Sequence, residues 1–157
     1  SELQTVSRDE TIAVDALVDE VLVDLEPLAQ EKKIKLIGNC KDTIMVGSDI
    51  LIYRMVYNLV ENAIKYNHFG GQVTVTAYRK GKNICLSVED TGSGIPAELK
   101  ERIFEPFFRV DKSRSRQLGG VGLGLALVRE IVRVHDGRIT VQSSPSGGTI
   151  FEVVFTQ

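Results

Sequence analysis

Between Ser48 and Asn67 the apolar side chains keep a single spacing. Ile52, Met55, Val56, Leu59, Val60, Ala63 and Ile64 recur at three- and four-residue intervals, which predicts a helix burying one face. Gly47 and then Ser48-Asp49 turn the chain into it. Asn58, Asn62, Lys65 and Tyr66 stand at i, i+4, i+7 and i+8, so they share a neighbouring face. Asparagine is a poor helix former, because its amide competes for backbone hydrogen bonds. Two of them one turn apart, followed by a lysine, suggest a site held on a rigid element. Amide oxygens suit a hard cation such as Mg²⁺, and an ammonium suits the phosphate such a cation accompanies. The residues alone leave a solvated polar stripe open as the alternative.

The rest of the chain supplies layers for that helix to pack on. From Asp15, a candidate N-cap, Leu17, Val18, Val21, Leu22, Leu25, Leu28 and Ala29 form a second helical stripe. Ile34–Ile37 and Thr43–Val46 alternate like short strands. The β-rich runs Val73–Tyr78 and Ile84–Glu89, joined through Lys80-Gly81-Lys82-Asn83, predict a hairpin. Ala97–Phe104 reads as a short helix and Leu123–His135 as a longer one stopped by Gly137. Ile139–Val141 and Thr149–Phe155 form a closing hairpin across Ser144–Gly148. The fold class expected is α+β: a two-layer sandwich with a mixed, mostly antiparallel sheet covered on one face by helices. At 157 residues with 43% hydrophobic content, one domain with a real core is expected. It is placed at residues 13–157, with 1–12 as a loosely held linker remnant. Ser1 in place of an initiator methionine suggests an excised fragment.

Several function classes are disfavoured. Net charge is −2, so no global basic footprint argues for nucleic acid. Up to residue 31 the chain carries nine acidic side chains and one basic, Arg8; that imbalance reads as a solvated helix face. No apolar run approaches the ~20 residues of a membrane span, and the N-terminus lacks a signal pattern. Cys40 and Cys85 lie in apolar, strand-like surroundings without ligand spacing and read as buried, reduced thiols of an intracellular protein.

Three further stretches carry chemistry. Asp90 stands where a strand meets Thr91-Gly92-Ser93-Gly94-Ile95-Pro96. A carboxylate pinned there can accept from an amino group, and glycines let a ring approach the backbone; an ordinary Asx turn fits the same residues. Gly119-Gly120-Val121-Gly122-Leu123-Gly124-Leu125 leads from a polar segment into an apolar helix, where backbone N–H groups favour an anion. It is neither a Walker A loop nor a good dinucleotide fingerprint. Between them, Phe104–Phe108 precedes Arg109, Lys112, Arg114 and Arg116, a hydrophobic anchor at the root of a cationic lid. Residues 105–119 have the profile of a mobile loop.

Taken in order, these motifs resemble the catalytic ATP-binding domain of bacterial sensor histidine kinases, within the superfamily that includes gyrase, heat-shock chaperone and mismatch-repair ATPases. Asn58–Asn67 matches the asparagine box and Asp90–Gly94 the first glycine box. Phe104–Phe108 matches the phenylalanine box and Gly120–Gly124 the second glycine box. The likeness runs from about Asp15 to Phe155, through His135–Ile139 and Gly147-Gly148-Thr149. It implies a left-handed α/β sandwich, the Bergerat-type ATP-binding fold, with ATP and Mg²⁺ as cofactors. Asn62 would ligate the metal, with Asn58 in support, and Lys65 would neutralise phosphate charge. Tyr66 would pack near the base or sugar, Asp90 would accept from the adenine amino group, and Gly92, Gly94 and Ile95 would shape that pocket. Gly120, Val121, Gly122, Leu123 and Gly124 would close over the triphosphate, and Arg109 is a candidate γ-phosphate contact.

The resemblance also implies partners. The phosphoacceptor histidine would lie on a separate dimerisation domain absent from this chain, and a response regulator receiver domain would follow in the relay. The fragment itself would be monomeric and cytoplasmic, whether or not its parent is anchored in the cell membrane. His135-Asp136-Gly137 lacks the proline of an acceptor motif, so His135 reads as a helix-end histidine. Hydrolytic relatives place a glutamate where Asn58 stands, and an amide cannot act as a general base. Glu61 lies about 100° round the helix from Asn62. The alternative function is a conformational ATPase or an ATP-responsive binding module of the same superfamily.

Overall fold

The alternating apolar pattern of the β-rich runs and the helical stripes close on one another in a computed structural model that describes residues 2–108 and 124–157. The elements are β1 (Glu10–Ala13), α1 (Val14–Glu31), β2 (Lys35–Cys40), β3 (Ile44–Gly47), α2 (Asp49–Lys65), β4 (Gln72–Lys80), β5 (Asn83–Asp90), α3 (Gly124–Val134), β6 (Arg138–Ser143) and β7 (Thr149–Thr156). Five strands form a sheet in the order β2-β4-β5-β7-β6. Its β2–β4 pair is parallel and the other three are antiparallel. This is the mixed, mostly antiparallel sheet expected, and β1 and β3 form a separate antiparallel pair.

Strand periodicity decides what faces the helices. Val73, Val75 and Ala77 of β4, Ile84, Leu86 and Val88 of β5, and Phe151, Val153 and Phe155 of β7 point into one core. They meet Leu17, Val18, Val21 and Leu25 of α1, the Leu51–Ile64 stripe of α2, and Val128, Ile131 and Val132 of α3. Continuing the same alternation by one step puts Asp90 on the helix-facing side of β5, where it is only 6% exposed. The strand register therefore turns the carboxylate toward the helices.

The turns follow local chemistry. Ser48 caps α2, its Oγ accepting from the Leu51 N–H at 3.3 Å. The β4–β5 hairpin closes through Gly81-Lys82, with Gly81 at φ +62, the conformation that favours glycine at the first position of a two-residue loop.

Several expectations about local structure need correcting. Residues 10–13, mostly assigned to the linker, form β1 through pairing with β3, and residues 2–5 form a 3₁₀ turn. Only Ile12 of β1 is buried, too little pattern to announce a strand. Asp15 is not the N-cap of α1: Ala13 holds that position without a side-chain bond, and Asp15 lies in the first turn with Oδ1 buried and without a hydrogen-bond partner among the described residues. The short helix at 97–104 is two 3₁₀ turns, Ala97–Leu99 and Arg102–Phe104. Cys40 is only half-buried, whereas Cys85 is buried, and both are free thiols.

His135 latches α3 to the start of α2. Its Nδ1–H donates to the Ile131 carbonyl at 2.8 Å, and Nε2 accepts from the Ser48 N–H at 3.0 Å. The ring stands edge-on to Phe155. The bond from Ser48 requires the neutral imidazole, and burial, with help from the Arg8 charge, lowers its pKa; the Ile131 carbonyl and Asp136 act in the opposite sense. The stabilisation from neutral His135 is present above the ordinary histidine pKa of about 6.5 and is lost as pH falls through the lowered folded value. Urea-unfolding midpoints should decline with acidification below that point. The His135→Gln variant should lose this part of the decline, and an unchanged pH profile would show that the latch does not titrate.

Candidate functional site

The expected site residues collect along α2 and at the end of β5. On α2 two rows run side by side at i,i+4 spacing. Asn58 and Asn62 lead to Tyr66, while Tyr57 and Glu61 lead to Lys65. Asn58 Nδ2 donates to the Arg54 carbonyl at 2.7 Å, which turns its Oδ1 outward from the helix. That oxygen faces Gly124, the first residue of α3, where a Cβ would sit 3.1 Å from it. Asn62 is half-buried, and its amide makes no hydrogen bond to the described residues. Lys65 leans toward Glu61, with Nζ to Oε1 at 3.8 Å and both side chains partly exposed. Such a pair contributes little and leaves the lysine available. Tyr66 is the C-cap, at φ −100 and ψ 12.

At the other end, Asp90 is organised by backbone. Its Oδ1 accepts from the Gly92 N–H at 2.8 Å and the Thr149 N–H at 3.3 Å. Among the described residues Oδ2 accepts no hydrogen bond. Burial pushes the Asp90 carboxyl up from the ordinary carboxylate range; the Gly92 and Thr149 N–H groups and the His68 charge pull it partly back, against Glu89. A buried carboxylate with one oxygen pinned and the other open suits a ligand amino group.

The glycines are there because the backbones touch. A Cβ on Gly92 would lie 2.5 Å from the Tyr66 carbonyl oxygen, and one on Gly148 would lie 2.0 Å from that of Asp90. Gly92 thus brings the Asp90 turn against the end of α2, and Gly148 brings the β6–β7 loop against the back of Asp90. Gly94, at φ +78, lies beside Gly147, and Ile95 packs half-buried on the core. From Asn58 to Tyr66 is eight residues, about 12 Å along a helix. The site therefore offers a base-sized acceptor at one end and amide oxygens, a lysine and a helix N-terminus at the other. Arg109, Gly120, Val121, Gly122 and Leu123, and most of the 105–119 loop, lie outside the described residues.

Three contributors were not anticipated. Asn67 is 1% exposed; its Oδ1 accepts from the His68 N–H and the Thr91 hydroxyl, and its Nδ2 donates to the Gln72 carbonyl. Thr91 Oγ1 in turn accepts from the Gln72 N–H at 3.0 Å. Ser144 Oγ donates to the Asp90 carbonyl at 3.4 Å. Asn67 stood inside the asparagine motif, and Thr91 inside the glycine motif, so position in a motif was the available signal for both.

Comparison with known proteins identifies the family and the fold. Residues 47–157 match the family described as histidine kinase-, DNA gyrase B- and HSP90-like ATPase. Over 141 residues, 89% of the chain and 34% of the relative, it is 40% identical to the sensor-like histidine kinase SenX3 of Mycobacterium tuberculosis (strain ATCC 25618 / H37Rv). The chain spans about a third of the length of the curated relatives it matches. Among solved structures it superposes on the catalytic domain of histidine kinase ThkA with a TM-score of 0.85 at 27% identity, covering 96% of each chain. The mycobacterial sensor histidine kinase MprB gives a TM-score of 0.83 at 27% identity, covering 94% of this chain and 97% of that one. ThkA is also known in complex with the response regulator protein TrrA, and full-length ShkA, over 30% of which this chain superposes, in complex with AMPPNP. The chain belongs to the histidine kinase-, DNA gyrase B- and HSP90-like ATPase family, in the fold of the histidine kinase catalytic domain.

Proposed function

We propose that this chain binds ATP and delivers its γ-phosphate to a histidine on a separate dimerisation domain, from which a response regulator receiver domain takes it. The observation that carries the kinase reading, as against a hydrolytic one, is Asn58. It stands one turn before Asn62, where a water-activating base would be needed, and its amide is bonded to the Arg54 carbonyl. A neutral imidazole is already a nucleophile and needs less help than water.

The residues divide the work. Asp90 accepts from the adenine amino group through Oδ2 while Gly92 and Gly94 keep the pocket wall free of side chains. Tyr66 covers the base or sugar, and Lys65 balances phosphate charge. The Gly120–Gly124 segment and Arg109 enclose the triphosphate. The Asn62 amide oxygen, with Asn58 beside it, fits a hard cation, and no cluster of three His, Cys, Asp or Glu side chains among the described residues offers a protein-only site. That pattern suits Mg²⁺ held partly by the nucleotide's own oxygens. Mg²⁺ there would offset the charge that develops on the phosphoryl oxygens. The remaining catalysis is positioning, as is usual for phosphoryl transfer.

Neither histidine of this chain suits the acceptor role. Both nitrogens of His135 are occupied, and His68 lies in the loop beside the base end of the site. No described helix is long and apolar enough to cross a membrane. The proposed domain is a cytoplasmic monomer, whether or not its parent is anchored in the cell membrane. With labelled ATP, the chain alone should release almost no phosphate and label neither histidine. With its parent's dimerisation domain added, that domain's histidine should be labelled and its His→Ala variant should not. Robust phosphate release by the chain alone, with the partner unlabelled, would favour the conformational-ATPase reading.

A further inference from the structure

The last turn of a helix leaves carbonyls without intrahelical partners, and α2 ends in the middle of the site with no glycine cap. Lys32, more than thirty residues earlier in the chain, covers that end. Its Nζ donates to the carbonyls of Ile64 at 3.1 Å, Lys65 at 2.9 Å and Asn67 at 2.7 Å. An ammonium has three N–H donors, so the acceptors match them in number. The arrangement also sets a positive charge against the negative end of the helix dipole.

The lysine is itself well anchored. It caps α1, where the Lys33 N–H bonds to the Gln30 carbonyl and the Ile34 N–H to the Ala29 carbonyl, with Lys33 in the left-handed region at φ +51. This is the bonding of a Schellman closure. Its own carbonyl accepts from the Gly70 N–H at 2.8 Å, on the far side of the loop that follows α2. Lys32 therefore ties α1, the end of α2 and the α2–β4 loop together before any ligand arrives.

What it ties down is the join between the two halves of the site. Gly92 rests on the Tyr66 carbonyl and on Asn67 Cα, and Asn67 bonds onward to Thr91 and Gln72. A shift in the end of α2 would move Tyr66 and Lys65 relative to Asp90. We propose that Lys32 is a positioning residue for the adenine-nucleotide site, fixing the end of α2 against the Asp90–Gly94 turn without touching the ligand. The inference rests on the function proposed above.

The test compares Lys32→Met, which keeps the stem and removes the donors, with Lys32→Gln as a milder variant should the first not fold. Val18→Ala, a core change on α1, controls for lost stability. ADP affinity of the 157-residue chain is measured by calorimetry well below each melting point, and backbone amide resonances are compared without nucleotide. Misplacing a site by a fraction of an ångström should weaken ADP binding roughly tenfold. The amides of Tyr66, Asn67, Thr91 and Gly92 should move, while Val18→Ala binds as the parent does. Binding within twofold of the parent, or equal weakening in Val18→Ala, overturns the assignment. A parent chain that binds no ADP would instead overturn the proposed function, and this inference with it.

Discussion

Asp90→Asn should lose adenine-nucleotide binding while the nucleotide-free domain stays as stable as before, or becomes more so. The two halves of this expectation have one cause. Asp90 is buried, and burial pushes its carboxyl pKa up, which means the folded domain carries the charged form at a cost. Protonation therefore stabilises the fold as pH drops through the raised value toward the unfolded one, opposite in sign to His135. Asparagine removes the charge but keeps a carbonyl, which can accept the Gly92 and Thr149 N–H groups that Oδ1 accepts now. Its NH₂ then occupies the place of Oδ2 and presents a donor to the adenine amino group, also a donor. Unpaired buried hydrogen-bonding groups cost ~1–3 kcal/mol, so affinity should fall by about one to two orders of magnitude. Calorimetry with ATP and ADP, alongside thermal melts, reads both halves. Unchanged affinity would remove Asp90 from the pocket, and a collapse in stability would make it a structural residue.

The sequence reading captured the elements whose patterns are long and regular. The α2 stripe and the two hairpins stand where periodicity placed them, because α2, β4, β5 and β7 each bury a face in the same core and Ile139 and Val141 of β6 pack half-buried against it. Asp90 was recognisable as a strand-end carboxylate, but its depth was not. That depth comes from β5 continuing its pairing with β4 two residues beyond Val88. Strand β1 escaped because it has one buried residue, Ile12, and depends on β3, more than thirty positions away. The Asp15 cap was misassigned for a related reason: β1 runs directly into α1, so the helix starts before a side-chain cap can be placed.

The supports of the site were harder to see than its contacts. Lys32 belongs to no motif, and only folding brings its ammonium to three carbonyls at and just beyond the end of α2. The Thr149 N–H and the Gly148 approach to Asp90 join strands that are distant in the chain. Motif spacing reports residues that share an element; it carries little about what holds two elements at a fixed separation.

The second large effect concerns Asn62, where Ala and Asp replacements should behave differently. Asn62 is half-buried on α2 and bonds to none of the described residues, so removing its amide deprives the fold of nothing visible. Alanine is the better helix former, by up to ~0.7 kcal/mol, and Asn62→Ala should melt at or slightly above the parent temperature. Phosphotransfer to the partner histidine should nevertheless fall on the order of a hundred- to a thousandfold, the usual scale when one preorganised electrostatic group is lost. Asn62→Asp keeps an oxygen ligand, now charged, and should retain Mg²⁺ binding with altered transfer. A readout independent of activity separates a metal role from a general one. ADP affinity of the parent should rise when Mg²⁺ is added, and this increment should vanish in Asn62→Ala while Mg²⁺-free binding is preserved, because Asp90 and the glycines at the base end are untouched. Full transfer by Asn62→Ala, or an intact Mg²⁺ increment, would assign the cation to other groups.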